Sequence, residues 1–279
     1  MLMKETKDKQ ENLLLKISRK LGLGSLLSFI AGIVNSVGFL GFGLFVSHVS
    51  GHATYAAVEY SKHYYILAVT SFTAIIFFIM GAITTAVLMQ GKTVEDPGIT
   101  IYIPALIEAA LLAYVMYGTF YYTDLQLTYD SYGHANFFLV LSFAMGMQNA
   151  LLRKKYGPHI RTTHMTGTAT DIGSSIGNIL YLSLYSLVAK IISYIKYKLN
   201  LSPGISLDSV RVTYSKSQFD TLILNFFTLI FFGIGAILGT FGFIYLHFLI
   251  LLLPIIILIV IAGIEFFSGS KKPRSAKRI

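Results

Sequence analysis

Two short runs hold the densest polar chemistry of the chain. Residues 47–54 read Ser-His-Val-Ser-Gly-His-Ala-Thr, and residues 163–170 read Thr-His-Met-Thr-Gly-Thr-Ala-Thr. Gly51 and Gly167 permit positive φ and a sharp turn, so each run is expected to break an apolar span and start a half-helix at its glycine. The N-terminus of a half-helix offers free N–H groups and the positive end of the helix dipole, which suit an anionic group. His48 and His164 recur at the same place in both runs, where they serve as hydrogen-bonding or titrating groups. His48 and His52 have i, i+4 spacing, but no third ligand stands near them, so no metal site is expected. Thr168-x-x-Asp171 has the form of a capping box, which accounts for Asp171 without a ligand. Asp171 and Thr166 nevertheless stay among the candidate binding residues.

Polar side chains also stand inside apolar runs. Asn35 and Asn149 occupy equivalent places in two recurring blocks, and Gln148 precedes the second. Such amides either bind a substrate or bond across helices, to each other among the choices. Glu108 sits in the middle of Ile-Pro-Ala-Leu-Ile-Glu-Ala-Ala-Leu-Leu, residues 103–112. A carboxyl near the bilayer centre is costly; it acts as a proton relay or cation partner, or it is protonated and bonded to a neighbour. No P-loop, His-Glu-x-x-His, Gly-x-Ser-x-Gly or dinucleotide fingerprint occurs, so an enzyme is not expected.

The elements that must position these residues repeat. Phe-Ile-Ala-Gly-Ile-Val-Asn-Ser at 29–36 recurs as Phe-Ala-Met-Gly-Met-Gln-Asn-Ala at 143–150. The His-x-x-Gly runs follow in both halves. A weaker echo sets Phe-Phe-Ile-Met-Gly-Ala at 77–82 against Phe-Phe-Gly-Ile-Gly-Ala at 231–236. Block order is kept and only the connections lengthen, as in membrane proteins built from two like halves.

Composition fixes the class. Of 279 residues, 54% are hydrophobic and 13% charged, with a mean hydropathy of +0.67; a soluble domain carries about 25% charged residues. The absence of cysteine removes disulfides, thiolate metal sites and a Cys nucleophile. The net charge of +9 reflects basic cytoplasmic loops, not a nucleic-acid surface.

Apolar runs long enough to cross as helices stand at 23–46, 65–89, 99–122, 135–152, 219–244 and 246–267. A seventh candidate, 172–195, is interrupted by Ser174, Ser175, Asn178, Ser183, Ser186 and Lys190. With six spans every Lys and Arg except Lys62 falls on one side; a seventh crossing would split them evenly. The positive-inside bias selects six, with both termini cytoplasmic and the loop of residues 123–134 external.

The expected fold is therefore all-α. It is a polytopic membrane protein of about six transmembrane helices, arranged as two inverted three-helix repeats with extra half-helices, at 53–62 and 169–195. Inversion follows because three spans is an odd number. The organisation is a cytoplasmic tail at 1–22, a first repeat at 23–122, and a second repeat at 135–268 with a cytoplasmic insertion near 196–218. A basic tail at 269–279 ends the chain. In this arrangement the half-helix starts at Gly51 and Gly167 are expected to approach one another near the midplane. Asn35, His48, Asn149, His164 and Thr166 would line the site, with Glu108 turned toward it.

At these residues the chain resembles the YoaK-like family of prokaryotic inner-membrane proteins, a family without an established function. The resemblance covers roughly residues 25–268. It is most specific at Gln148-Asn-Ala and at the run from Arg161 through Asp171. Asn35 stands where the family usually shows Asp, and Ser50-Gly51-His52 where it shows Thr-Gly-Asn. Glu108 resembles an acid common in the family's third span. The resemblance implies the fold and an inner-membrane location, and supplies no substrate. Two functions are open: a small secondary transporter of a small molecule or ion, or a non-transporting scaffold or regulator in the lipid bilayer. No cofactor is expected.

Overall fold

The computed structural model of the chain describes residues 2–89, 99–120, 122, 134–156, 162–199 and 216–270. All of the expected loop at 123–134 except His134, Arg161, most of the expected insertion and the basic tail from Lys271 lie outside the described residues. Among the described residues every regular element is a helix. In chain order they are α1 (Leu2–Phe42), α2 (Val49–Ser61), α3 (Tyr65–Leu88), α4 (Ile99–Thr119), α5 (Ala135–Tyr156), α6 (Met165–Lys198), α7 (Lys216–Leu246) and α8 (Leu252–Ser270).

Among the described residues, six stretches are long and apolar enough to cross a membrane: Leu21–Phe42, Tyr65–Leu88, Ile101–Thr119, Ala135–Lys154, Met165–Lys198 and Phe219–Phe267. The count matches the expectation and the membership differs. α6 is among the six by length and hydropathy, and α7 and α8 form one apolar stretch of 49 residues. As one straight helix that stretch would be ~74 Å, more than twice the ~30 Å hydrocarbon layer. A 3-10 turn, His247–Leu251, breaks it, with His247 at φ 50.

The faces of α3 show which solvent the fold expects. Phe72, Ile76, Ile79, Ile83 and Val87 are exposed, whereas Ser71, Ala74, Gly81 and Thr85 are buried. Large apolar groups outward and small or hydroxylated groups inward is the pattern of a helix packed in lipid. Hydrocarbon gives no hydrophobic drive between helices, so close backbone approach must supply the attraction.

That approach explains the recurring blocks. α3 crosses α5 where a Cβ on Gly81 would collide with the carbonyl oxygen of Phe143, and one on Gly146 with that of Phe78. α1 crosses α7 in the same way: Gly32 lies against the carbonyl of Phe232, and Gly235 against that of Phe29. Phe29 and Gly32 match Phe143 and Gly146, and Phe78 and Gly81 match Phe232 and Gly235. The first span of each half thus packs on the second span of the other. One helical turn beyond Gly81, Thr85 Oγ1 donates to Met147 O at 3.1 Å. Its counterpart Gly239 has no hydroxyl and lies close enough to Ile33, the match of Met147, that an added Cβ would fall 2.7 Å from the Ile33 Cα.

Short elements turn the chain between spans. α1 closes at Gly43, whose φ of 81 is the left-handed end of a helix and whose N–H donates to Phe39 O at 2.8 Å. α2 is 13 residues, ~20 Å long, too short to cross. It starts four residues before the expected half-helix. The chain divides into two compact units, Met1–Thr163 with Ile230–Ile279, and His164–Leu229. Gly51 belongs to the first and Gly167 to the second.

Candidate functional site

Asn35 and Asn149 set the start of each polar run. On α1, Asn35 Oδ1 accepts the Ser47 N–H at 3.4 Å and the Ser47 hydroxyl at 3.0 Å. On α5, Asn149 Oδ1 accepts the Thr162 N–H at 3.0 Å, the Thr162 hydroxyl at 3.1 Å and the Thr163 N–H at 3.1 Å. Its Nδ2 donates to the Thr163 hydroxyl. Ser47 and Thr163 are matching residues, so each amide holds its own run where the chain leaves a span and turns into the next helix. Asn149 uses both ends of its amide in this clasp.

The turn itself falls one step later, at a histidine. His48 is the N-cap of α2 at φ −93, ψ 69, and His164 the N-cap of α6 at φ −82, ψ 60. In both helices the backbone of this histidine accepts the first helical bond, from the His52 N–H at 2.8 Å and the Thr168 N–H at 2.9 Å. Each imidazole lies over the glycine three residues on: a Cβ at Gly51 would strike the His48 ring, and one at Gly167 the His164 ring. Thr54 and Thr170 return their hydroxyls to Ser50 O at 3.1 Å and Thr166 O at 2.9 Å.

Two expectations are corrected here. Gly51 and Gly167 do not break the chain; they lie inside α2 and α6, and the helices begin at Val49 and Met165. The glycines leave room for a ring and serve no positive-φ turn. Thr168 is not an N-cap either, because the helix has already started at Met165, so the capping box with Asp171 is not formed. Asp171 stands in the second turn of α6, partly exposed, and Thr166 is exposed.

The deeper candidates lie in the first unit. His52 is 3% exposed and meets the Phe138 ring edge-on at 5.6 Å. Burial lowers its pKa to about 4, a hydrogen bond to the Phe45 backbone offsets part of this, and His48 lowers it further. His52 is therefore neutral at physiological pH, and its Nε2 has no hydrogen-bond partner. Thr168, its counterpart on α6, is buried as well. Gln148, fully buried on α5, donates from Nε2 to Leu27 O on α1 at 2.7 Å and leaves Oε1 without a partner. Glu108 is 1% exposed on the inward stripe of α4, in register with Ile101, Ala105, Leu112, Val115 and Thr119, and its Oε1 has no partner. Among the described residues, no group of three or more His, Asp and Glu side chains could hold a metal ion.

Sequence reasoning overlooked Glu59. It is buried on α2 and receives Lys62 Nζ at 2.9 Å. The i, i+3 spacing was the available signal. It pairs Lys62, the one basic residue that six spans would leave apart from the others. Ser71, buried on α3 with its hydroxyl unpartnered, carried no signal beyond being a serine in an apolar run.

The comparisons with known proteins agree with a membrane protein. A family model described as "Protein of unknown function (DUF1275)" matches residues 23–264. The chain is 30% identical over 160 residues to the UPF0700 transmembrane protein YoaK of Bacillus subtilis (strain 168), covering 56% of this chain and 67% of the relative. No solved structure matches. With the match extending over most of its length, this integral membrane protein belongs to the YoaK-like DUF1275 family.

Proposed function

We propose that the protein is a small secondary transporter of the inner membrane, with Glu108 as the group that carries a proton or meets a cationic solute. One observation supports this above the others. A carboxyl oxygen is buried in a membrane span with no partner from the protein. An ionisable side chain in that position is expensive unless an exchangeable proton, ion or solute occupies it for part of a cycle. His52 and Gln148 add unpartnered buried nitrogen and oxygen acceptors in the same unit. Asn35 and Asn149 act as positioning residues that fix the starts of α2 and α6. The substrate set of the first unit is then His48, His52, Glu108 and Gln148, with the His164 turn as the second half's counterpart.

The halves are inverted in this reading, because three spans each and a one-sided distribution of Lys and Arg place both termini in the cytoplasm. A scaffold role is the second reading. It is favoured by the spent amides of Asn149 and by the two glycine crossings, which lock helices without leaving anything for a ligand. Purified protein in liposomes, tested against a panel of small anions, cations and polar metabolites, separates the two. Accumulation above protein-free liposomes supports transport, and a flat panel together with co-purification of a membrane partner supports the scaffold.

A further inference from the structure

Leu27 fixes which way round the Gln148 amide sits. Gln148 Nε2 donates to Leu27 O at 2.7 Å. A carbonyl oxygen only accepts, so turning the amide round would set two acceptors against each other. Oε1 is therefore the end left over, a fully buried acceptor without a partner. The Glu108 carboxyl is buried too, and its Oε1 is likewise unpartnered.

The packing turns these two groups toward one place. α4 and α5 are antiparallel neighbours: the Tyr114 ring lies 5.6 Å from the Phe137 ring, and a Cβ on Gly118 would meet that same ring. α1 is antiparallel to α5 as well, with Leu27 at Gln148 and Phe42 at Phe138. At ~100° per residue, Gln148 falls within ~20° of Phe137 around α5. It therefore stands on the side that meets α4 while its Nε2 reaches α1. Glu108 lies on the buried stripe of α4, the helix that packs on α5 and α8. Counted at ~1.5 Å per residue from the Phe137 contacts, the two residues differ in height by less than ~8 Å, with Gln148 the nearer to the C-terminal end of α5. Helical side chains lean toward their own N-terminus. In antiparallel helices these two thus lean toward each other and close that difference.

We propose that Gln148 Oε1 and the Glu108 carboxyl share one site, between α1, α4 and α5, for a water molecule that passes the Glu108 proton to solvent. This rests on the reading of Glu108 as exchangeable, and it selects the proton over a cationic solute. A hard cation stripped of water takes about six oxygens, and one carboxyl with one amide oxygen falls short. A buried water asks for two to four polar partners. Among the described residues no other titratable side chain is buried on α1, α4, α5 or α8. Glu265 of α8, half-buried, lies toward the end of that helix where Phe266 meets Tyr102. The water accepts the Glu108 O–H and donates one of its own to Gln148 Oε1. When the proton crosses, the carboxylate stays behind and the charge on the water is steadied by the amide oxygen. The proton then passes to solvent water, and the bound water is neutral again. Reprotonation runs the same steps backward.

Infrared difference spectroscopy of the whole protein in liposomes tests this. The C=O stretch of protonated Glu108 is identified by its loss in Glu108→Gln. The rate at which that band shifts on transfer from H2O to D2O reports proton exchange. Gln148→Met keeps the length of the side chain and removes both polar ends, and exchange should slow by about tenfold or more. Gln148→Glu should restore it, because a protonated carboxyl still donates to Leu27 O and still offers a carbonyl oxygen. Gln148→Asn, which withdraws the amide by one methylene, should slow exchange in the same direction and replaces the Met variant if that does not fold. A purely structural Gln148 predicts the opposite sign, since losing its tie to α1 loosens the packing and speeds exchange. Exchange that is unchanged or faster in the Met or Asn variant overturns the proposal and leaves the transport reading standing. A wild-type Glu108 band that is absent, or that never shifts in D2O, overturns the proposal together with the proton-carrying role of Glu108.

Discussion

Gly81 and Gly146 sit back to back at the crossing of α3 and α5, each against the carbonyl of the phenylalanine three residues before the other. Gly32 and Gly235 repeat the arrangement between α1 and α7. The two crossings use matching residues of the two halves, exchanged. This is the packing reason for blocks that otherwise look like unrelated glycines in apolar runs: a substitution must be tolerated by the backbone of a different span.

Adding a methyl at a crossing should separate the helices. Gly146→Ala or Gly32→Ala is expected to destabilise the detergent-solubilised protein by ~1–3 kcal/mol, as an overpacked core site does. Gly263→Ala, where nothing lies within 4 Å of the added Cβ, should be neutral. Thermal unfolding of the three variants side by side measures this, and equal melting points would remove the crossing from the account.

The two clasps should differ in strength. Asn149 makes more hydrogen bonds than Asn35. Asn149→Ala is expected to cost on the order of 2–3 kcal/mol and Asn35→Ala about 1. Hydrogen exchange should rise first at Thr162 and Thr163 in the Asn149 variant, and at Ser47 in the other.

Both histidine seats predict coupling. Gly51→Ala should displace the His48 ring, since its Cβ would occupy the ring's place. Once His48→Ala has removed the ring, the same alanine should be accommodated. A double-mutant cycle on melting temperature should show a coupling of ~1 kcal/mol between the two positions, and additive effects would contradict the seat.

His52 makes stability depend on pH. Its pKa is lowered from 6.5 to about 4 in the folded protein. Between these values the unfolded chain binds more protons, so stability is fully present above about 6.5 and falls as the pH drops toward about 4. The loss is on the order of 3 kcal/mol, with a ceiling of about 3.4 kcal/mol. His52→Phe should flatten this part of the pH–melting curve, and an unchanged slope would place the effect elsewhere.

Much of the scaffold was legible because lipid enforces it locally. The apolar runs at 65–89 and 135–152 became α3 and α5 almost residue for residue, since a span needs only length and hydropathy. The recurring blocks were visible as letters, yet their partners were not: nothing in the spacing of Gly32 or Gly81 names the carbonyl each one meets. The same gap misled the reading of Gly51 and Gly167. Glycine in a polar run suggests a turn, and only tertiary placement shows a histidine ring in the space a Cβ would need. Glu108 was legible as an exception, because a carboxyl in an apolar span must be explained by where it points.

The central claim is that Glu108 serves an exchangeable occupant, and proton-coupled flux tests it most directly. Wild-type and Glu108→Gln proteins are reconstituted in liposomes holding a pH-sensitive dye, and a solute that the wild type accumulates is added. The account predicts that the wild type moves protons with that solute. The Gln variant, equally well folded by thermal unfolding, should lose the coupled flux by tenfold or more, ~1.4 kcal/mol in the transport step. A Gln variant that carries solute and protons at the wild-type rate would contradict the account.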